Sequence, residues 1–111
     1  MTIDVEDRNG ATVVRLRGEF GSEHPGRFVR TVTELLQGRQ ARIIIDLSEV
    51  SYMSSTGLGE LVRVTAQANT QEGRVVLADP SPFVTGVLET TQLHRFFELH
   101  PTVEKALAAL G

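Results

Sequence analysis

Hydrophobic and polar residues alternate at the start of the chain, and the alternation resumes after a short break. Ile3 and Val5 alternate with acidic residues. Val14 and Leu16 alternate with arginines in the same way. The break contains Asn-Gly, the dipeptide that favours the two-residue turns of β-hairpins. The pattern therefore predicts an antiparallel hairpin with one face exposed to water.

The next apolar run is unbroken. Residues 43–45 are three isoleucines, a run too short for a buried helix, and the run stops at Asp46. A strand that is covered on both faces has such a continuous apolar sequence. We therefore expect a central strand that is parallel to a neighbour and is followed by a polar loop.

An amphipathic helix is predicted after this loop. Its apolar residues recur at helical spacing, at Leu58, Leu61, Val62, Thr65 and Ala68. Ser54, Ser55 and Thr56 stand before them, and each is a good N-cap because its side-chain oxygen can accept a hydrogen bond from a free N–H group of the first turn. At least one of the three is predicted to be only a cap, and three hydroxyls in a row exceed what capping requires.

Two glycines, Gly57 and Gly59, lie in the first turn of this predicted helix. A helical glycine costs about 0.8–1.0 kcal/mol relative to alanine, and that cost is often offset by the close approach of another surface. A helix N-terminus also favours negative charge, so a phosphate on a serine here is compatible with the fold. The chain contains neither GxxxxGK[ST] nor GxGxxG, so a phosphoryl donor must come from another protein.

Helices and strands alternate in the rest of the chain. Helical spacing predicts a helix over residues 28–36 that ends at Gly38 and has Pro25 in its first turn. A buried strand is expected at residues 74–78, and Ser81 and Pro82 are typical of the cap and first residue of the next helix.

A short strand at residues 97–99 and a helix beyond Thr102 complete the order ββαβαβαβα. This order predicts an α/β fold with a mixed sheet of four to five strands and about four packed helices. With 111 residues, we expect a single domain over residues 1–111.

Composition excludes several function classes. The formal net charge of −3 argues against nucleic-acid binding, because phosphate contacts need a basic surface. There is no cysteine, and His24, His94 and His100 are not spaced as metal ligands, so neither a metal nor another cofactor is predicted. The sequence has no signal peptide and no apolar stretch of membrane-spanning length, which indicates a cytoplasmic protein without membrane insertion.

The stretch DLSEVSYMSSTGLGEL resembles the signature of the STAS domain, and most closely that of single-domain anti-sigma-factor antagonists of bacteria. The resemblance implies the STAS fold and a regulator of transcription that is not an enzyme. It also implies partner switching, in which the unphosphorylated protein binds an anti-sigma factor with serine kinase activity and the sigma factor is released. The ATP is bound by that kinase. Ser55 matches the serine that the kinase phosphorylates, with Thr56 as second choice, and a PP2C-type phosphatase restores the unmodified form.

The same resemblance implies where the partner binds. The predicted contact surface consists of Gly21, Ser22, Glu23, His24, Ser54, Ser55, Thr56, Gly57, Leu58, Gly59 and Glu60. Family members resemble this chain but carry acidic residues at the positions of Gly21 and Ser54. Such carboxylates can orient the hydroxyl or accept its proton. Glu19, Glu23 and Asp46 are the alternatives in this chain.

Other interpretations stay open at this point. Asp46 is either a functional carboxylate at the edge of the sheet or, more often at such positions, the cap of a loop. Tyr52 and Met53 are either core or interface residues, with core as the default. A serine hydrolase would need GxSxG, which is absent. The second function hypothesis is an accessory STAS subunit of a membrane transport system, or a module that senses a nucleotide or lipid without a kinase.

Overall fold

The structure is a computed structural model that describes residues 1–21, 26–37 and 40–110. Within these residues the strands are β1 (Thr2–Arg8), β2 (Ala11–Phe20), β3 (Arg42–Met53), β4 (Arg74–Ala78) and β5 (Leu99–His100). The helices are α1 (Arg27–Leu35), α2 (Ser55–Thr70), α3 (Pro82–Thr90) and α4 (Val103–Leu110), with a 3-10 turn at Leu93–Arg95. The predicted α/β fold and the order ββαβαβαβα are confirmed.

The strands form one sheet in the order β1-β2-β3-β4-β5 across the described residues. The first two strands make the predicted hairpin, with Asn9 and Gly10 both at positive φ in the turn (51° and 84°), as a tight hairpin turn requires. All later pairs are parallel. Since β3 lies between two parallel neighbours, the prediction of a central parallel strand is confirmed.

The two faces of the sheet bury different sets of residues. Ile43 and Ile45 of β3 point into the larger core with residues of α1, α2 and α3. Ile44 points the other way, into a smaller cluster with α4. Both faces of the isoleucine run are therefore covered, which is why the sequence of β3 begins as an unbroken apolar run.

The prediction of a polar loop directly after Asp46 is wrong, because β3 continues to Met53. β2 extends to Phe20 and pairs with β3 as far as Phe20 and Met53, with register shifts along the way that change which side chains face the core. Residues Leu47, Val50 and Met53 are buried along this extension. Long-range pairing therefore overrides the polar composition of residues 48–52.

The last strand also differs from its prediction. The strand expected at residues 97–99 is β5 at Leu99–His100. Phe97 is not part of it, because its side chain is buried and its N–H donates to the carbonyl of Leu93 in the turn after the 3-10 helix. At the first helix, α1 begins at Arg27 and ends at Leu35. The predicted roles of Pro25 and Gly38 lie outside the described residues.

Candidate functional site

Ser54 joins the end of β3 to the start of α2. Its side-chain oxygen accepts a hydrogen bond from the N–H of Gly57 at 3.1 Å, and its carbonyl accepts one from the N–H of Leu58 at 3.0 Å. Its own N–H donates to the carbonyl of Phe20 at 3.0 Å, which ties the junction to the end of β2. Ser54 is therefore the hydroxyl that serves as the cap, as the sequence led us to expect of at least one of the three.

Two glycines bring the end of β2 against the start of α2. Gly21 has φ of 94°, and a Cβ added there would overlap the backbone nitrogen of Gly57 and the side-chain oxygen of Ser54. A Cβ added at Gly57 would lie 2.7 Å from the carbonyl oxygen of Phe20. An acidic side chain at position 21 is therefore incompatible with this backbone, and the glycine there is a packing requirement of the junction.

Ser55 and Thr56 begin α2 with exposed side chains. Among the described residues, the side-chain hydrogen bonds at this junction all involve the oxygen of Ser54. Within the predicted contact surface, Gly57 is buried and Leu58 packs partly into the core, whereas Gly59 is exposed. The fully exposed residues of this segment are thus Ser55, Thr56 and Gly59. Ser22, Glu23 and His24 lie outside the described residues.

Asp46 is not a neighbour of these hydroxyls. Its carboxylate accepts hydrogen bonds from Arg15 Nε at 2.9 Å and from the N–H of Ser48 at 3.0 Å. Burial by itself raises the pKa of Asp46, but these hydrogen bonds and the charge of Arg15 outweigh it and lower the pKa below its usual value. Asp46 shares the α4 face of β3 with Ile44, opposite α2.

Both interpretations of Asp46 therefore need correction. The hydrogen bond from Ser48 is the one that a loop cap would make, but it lies inside a strand. Asp46 is also not at the carboxyl edge of the sheet, because seven further residues of β3 follow it. It cannot substitute for the missing carboxylates beside Ser55, since α2 packs against the other face.

Two other carboxylates lie nearer the start of α2. Glu19 is exposed and pairs in register with Tyr52, one residue before the contact between Phe20 and Met53. Glu60 lies one helical turn after Thr56, and its Oε1 is buried without a hydrogen-bond partner among the described residues. The part of Glu60 that a partner could reach is therefore its remaining, outward portion.

The sequence-based default of a core position is confirmed for Met53 and wrong for Tyr52. Met53 is 4% exposed, whereas Tyr52 is 44% exposed. The Tyr52 ring contacts Phe83 of α3, with ring centroids 5.2 Å apart, and Phe83 is itself 39% exposed. Helical spacing gives no signal of this exposure, because Phe83 stands four residues before Val87 and so lies beside the stripe formed by Val84, Val87 and Leu88.

Among residues 1–21, 26–37 and 40–110, no cluster of three His, Cys, Asp or Glu side chains could hold a metal ion. No helix in these ranges combines the length and apolar composition that crossing a bilayer requires.

Known proteins share both the sequence pattern and the fold. The chain is 29% identical over 112 residues to the anti-sigma F factor antagonist of Paenibacillus polymyxa, covering 99% of this chain and 95% of that protein. An anti-sigma factor antagonist from Mycobacterium paratuberculosis has a similar crystal structure, with a TM-score of 0.86, 27% identity and coverage of 98% and 92%.

The antagonist SpoIIAA, solved in its unphosphorylated form, matches with a TM-score of 0.79, 26% identity and coverage of 98% and 96%. A structure of Bacillus SpoIIAA in the phosphorylated form also exists, and at 22% identity to this chain it shows the fold alone. The model of the STAS domain matches residues 2–106 of the chain. The chain therefore belongs to the STAS domain family.

Proposed function

We propose that this chain is an anti-sigma-factor antagonist whose switch is the phosphorylation of Ser55. The observation that carries the proposal is that two adjacent serines at the start of α2 have different roles. Ser54 is the N-cap, and Ser55 presents an exposed hydroxyl. The Paenibacillus polymyxa relative, an anti-sigma F factor antagonist, supports the choice of partner class. The unmodified chain binds an anti-sigma factor with serine kinase activity and thereby releases the sigma factor.

The start of α2 suits both states of this switch. A phosphate on Ser55 would lie at the N-terminus of a 16-residue helix, where the free N–H groups and the helix dipole favour negative charge. Phosphorylation would add about −1.5 to −2 charges to the exposed surface without disturbing the cap on Ser54. The fold therefore tolerates the modification, and the change in charge acts on the partner.

The effect on binding follows from desolvation and charge. A dianion held against a closely packed partner surface costs desolvation energy and repels acidic groups of the partner. Each tenfold change in affinity needs about 1.4 kcal/mol, so a cost of about 3 kcal/mol lowers the affinity by about two decades. That range is sufficient for a regulatory switch.

The chemistry of phosphoryl transfer belongs to the partner in this proposal. The chain has no nucleotide-binding loop motif, and Asp46 is engaged with Arg15 on the opposite face of the sheet. The kinase therefore brings the ATP, and Asp46 is not the group that accepts the proton of Ser55. A PP2C-type phosphatase reverses the modification, and no catalytic role is assigned to this chain.

The test compares Ser55→Glu, Ser55→Ala and the matched control Thr56→Ala for retention of proteins from a lysate of the source cells. A kinase-type ATPase held by the wild type and by Ser55→Ala, and released by Ser55→Glu, is expected. Incubation of the purified ATPase with labelled ATP should modify the wild type and Thr56→Ala but not Ser55→Ala.

Two results would contradict the proposal. Labelling of Ser55→Ala at the wild-type level would reassign the acceptor to Thr56. Retention of a transport component by the wild type and by Ser55→Glu alike, with no kinase, would favour the accessory-subunit hypothesis and leave Ser55 as an ordinary surface residue.

A further inference from the structure

Ser55 and Thr56 are both exposed at the start of α2, but they differ in the residue that lies one turn further along the helix. The residue four positions after Ser55 is Gly59, which is exposed, and a Cβ added there would meet no atom within 4 Å. The residue four positions after Thr56 is Glu60, which is half-buried. Residues four apart are neighbours on a helix surface. Thr56 therefore has a carboxylate in this position, whereas Ser55 has no side chain there.

The direction of helical side chains increases this contrast. The Cα–Cβ bonds of an α-helix are tilted toward its N-terminus, so the side chain of Glu60 extends back over the preceding turn. Around the helix axis, Thr56 is about 40° from Glu60 and Ser55 is about 140° from it. The Glu60 side chain therefore lies on the side of the helix that carries Thr56, and away from the side that carries Ser55.

Packing restricts the Glu60 side chain. Its Oε1 is buried and has no hydrogen-bond partner among the described residues. Gln67, two turns later on the same side of α2, accepts a hydrogen bond from Thr33 Oγ1 of α1 at 3.2 Å, so this side of the helix faces α1. None of the salt bridges within the described parts of the chain includes Glu60. The carboxylate is therefore held close to the helix, and none of these salt bridges compensates its charge.

A negative charge added to Thr56 would be repelled by this carboxylate. Like charges four residues apart destabilise a helix, and for unit charges the effect is about a 1.4- to 2.3-fold change in an equilibrium. A phosphate carries about −1.5 to −2 charges, so the effect on a phosphothreonine is about two- to fivefold. Salt screens a half-buried carboxylate less than an exposed one. At Ser55 the corresponding residue is Gly59, which imposes no such cost.

We propose that Glu60 determines which hydroxyl is phosphorylated, because it disfavours a phosphate on Thr56 and leaves Ser55 as the acceptor. The inference rests on the proposed function and assigns part of the specificity to this chain. Ser54 is already engaged as the cap of α2. The three adjacent hydroxyls therefore have three different roles.

The repulsion acts on the transfer step itself. The hydroxyl oxygen forms a bond to the γ-phosphorus of ATP, the bond between that phosphorus and ADP breaks, and the hydroxyl proton is released. The charged phosphoryl group must approach the acceptor oxygen before the new bond forms. A carboxylate beside Thr56 therefore slows transfer to Thr56 and also destabilises its product, while transfer to Ser55 is little affected.

The first test needs no kinase and measures the charge coupling in the purified chain. Thermal unfolding is followed for Thr56→Glu, Glu60→Gln and the double variant. Thr56→Glu should lower the midpoint by about 1–4 °C more in the presence of Glu60 than in the presence of Gln at that position. The control combines Thr56→Glu with Glu89→Gln, which removes the same charge from an exposed position of α3 and should be additive. Additive effects of Thr56→Glu and Glu60→Gln would contradict the proposal.

The second test identifies the acceptor directly. The probe is the kinase-type anti-sigma factor of the source bacterium, supplied with ATP, and peptide mass spectrometry measures the ratio of phosphate on Thr56 to phosphate on Ser55. Glu60→Gln should raise this ratio about two- to fivefold over the wild type. The control variant Glu89→Gln should leave the ratio unchanged. The same ratio in the wild type and Glu60→Gln, including no phosphate on Thr56 in either, would overturn the proposal.

The outcomes separate this inference from the proposed function. If Ser55 is phosphorylated and Glu60→Gln does not change the ratio, the role of Glu60 is wrong and the phosphorylation switch stands. If the ratio rises and the unfolding midpoints show the coupling, both stand. If the kinase phosphorylates neither Ser55 nor Thr56 of the wild type and of Glu60→Gln, the proposed function fails and the role of Glu60 fails with it.

Discussion

Helices α2 and α3 both start at a serine cap, yet the two starts are built for different purposes. The oxygen of Ser54 accepts a hydrogen bond from Gly57 at 3.1 Å, and the oxygen of Ser81 accepts one from Val84 at 3.3 Å. The hydroxyl of Ser81 also donates to the Val50 carbonyl at 2.6 Å, and Ser81 is 8% exposed. The corresponding distance from Ser54 to the Phe20 carbonyl is 3.5 Å.

The residues after each cap differ more than the caps do. At α3, Pro82 preorganises the first turn and no further hydroxyl follows until Thr85. At α2, Ser55 and Thr56 add two exposed hydroxyls that the fold does not use. An N-cap serine therefore starts both helices. The two additional exposed hydroxyls of α2 distinguish this candidate functional site from the purely structural start of α3.

The largest expected effect concerns the packing that only α2 has. Gly57→Val should lower the free energy of unfolding by about 3 kcal/mol, because its side chain would collide with the Phe20 carbonyl. The matched control is Gly59→Val, where an added Cβ meets no atom within 4 Å, and the change should stay within about 0.5 kcal/mol. Urea unfolding of both variants provides the measurement.

This result would also decide whether a loss of partner binding by Gly57→Val reports the partner contact or misfolding. On sequence grounds, Gly57 served to let a partner approach, but the structure shows that the approaching surface is the chain's own β2. A loss of partner binding by Gly57→Val would therefore report misfolding. Equal stability of the Gly57 and Gly59 variants would show that the packing between β2 and α2 is looser than the structure indicates.

The two caps should differ in their contribution to stability. Ser81→Ala is expected to cost about 2 kcal/mol, because it removes a cap and leaves the buried carbonyl of Val50 without its donor. Ser54→Ala should cost about 1 kcal/mol, the usual loss for an N-cap. Thermal unfolding of both variants measures the difference. A greater loss from Ser54→Ala would reverse the order of the two caps.

Local rules predicted much of this molecule, and long-range contacts account for what they missed. The Asn9-Gly10 hairpin and the Ser81 cap were found because each depends on residues within a few positions. The extension of β3 to Met53 was missed, because it depends on pairing with β2 more than 30 positions earlier. The contact between Gly21 and Gly57 was missed for the same reason, since sequence shows a flexible residue but not its neighbour.

The features of the candidate site also separate into those that local sequence predicts and those that depend on long-range contacts. That three hydroxyls exceed the need for one cap was evident from sequence, but only the structure identifies Ser54 as the one in use. Sequence comparison with the family suggested only that a carboxylate is missing at Gly21, whereas the backbone there leaves no room for a side chain. The exposure of Tyr52 did not follow from the sequence, because the register shifts between β2 and β3 cannot be derived from residue types.

A smaller effect is expected at the exposed glycines of the two helices. Gly59→Ala in α2 and Gly86→Ala in α3 should each raise the free energy of unfolding by about 0.8–1.0 kcal/mol, because alanine has the higher helix propensity and the space around both positions is open. Denaturant titration checks both. If either variant loses stability, that glycine has an internal role and does not mark a surface left free for a partner.

The smallest effect on folding is expected at the residue with the largest proposed role. Ser55→Ala should change the free energy of unfolding by less than about 0.5 kcal/mol, because its exposed side chain caps nothing in the described structure. The measurement is chemical unfolding beside Ser54→Ala, which removes the neighbouring hydroxyl from the same turn. If Ser55→Ala costs as much as Ser54→Ala, both hydroxyls belong to the cap, and phosphorylation of Ser55 would unfold the start of α2 in addition to changing its charge.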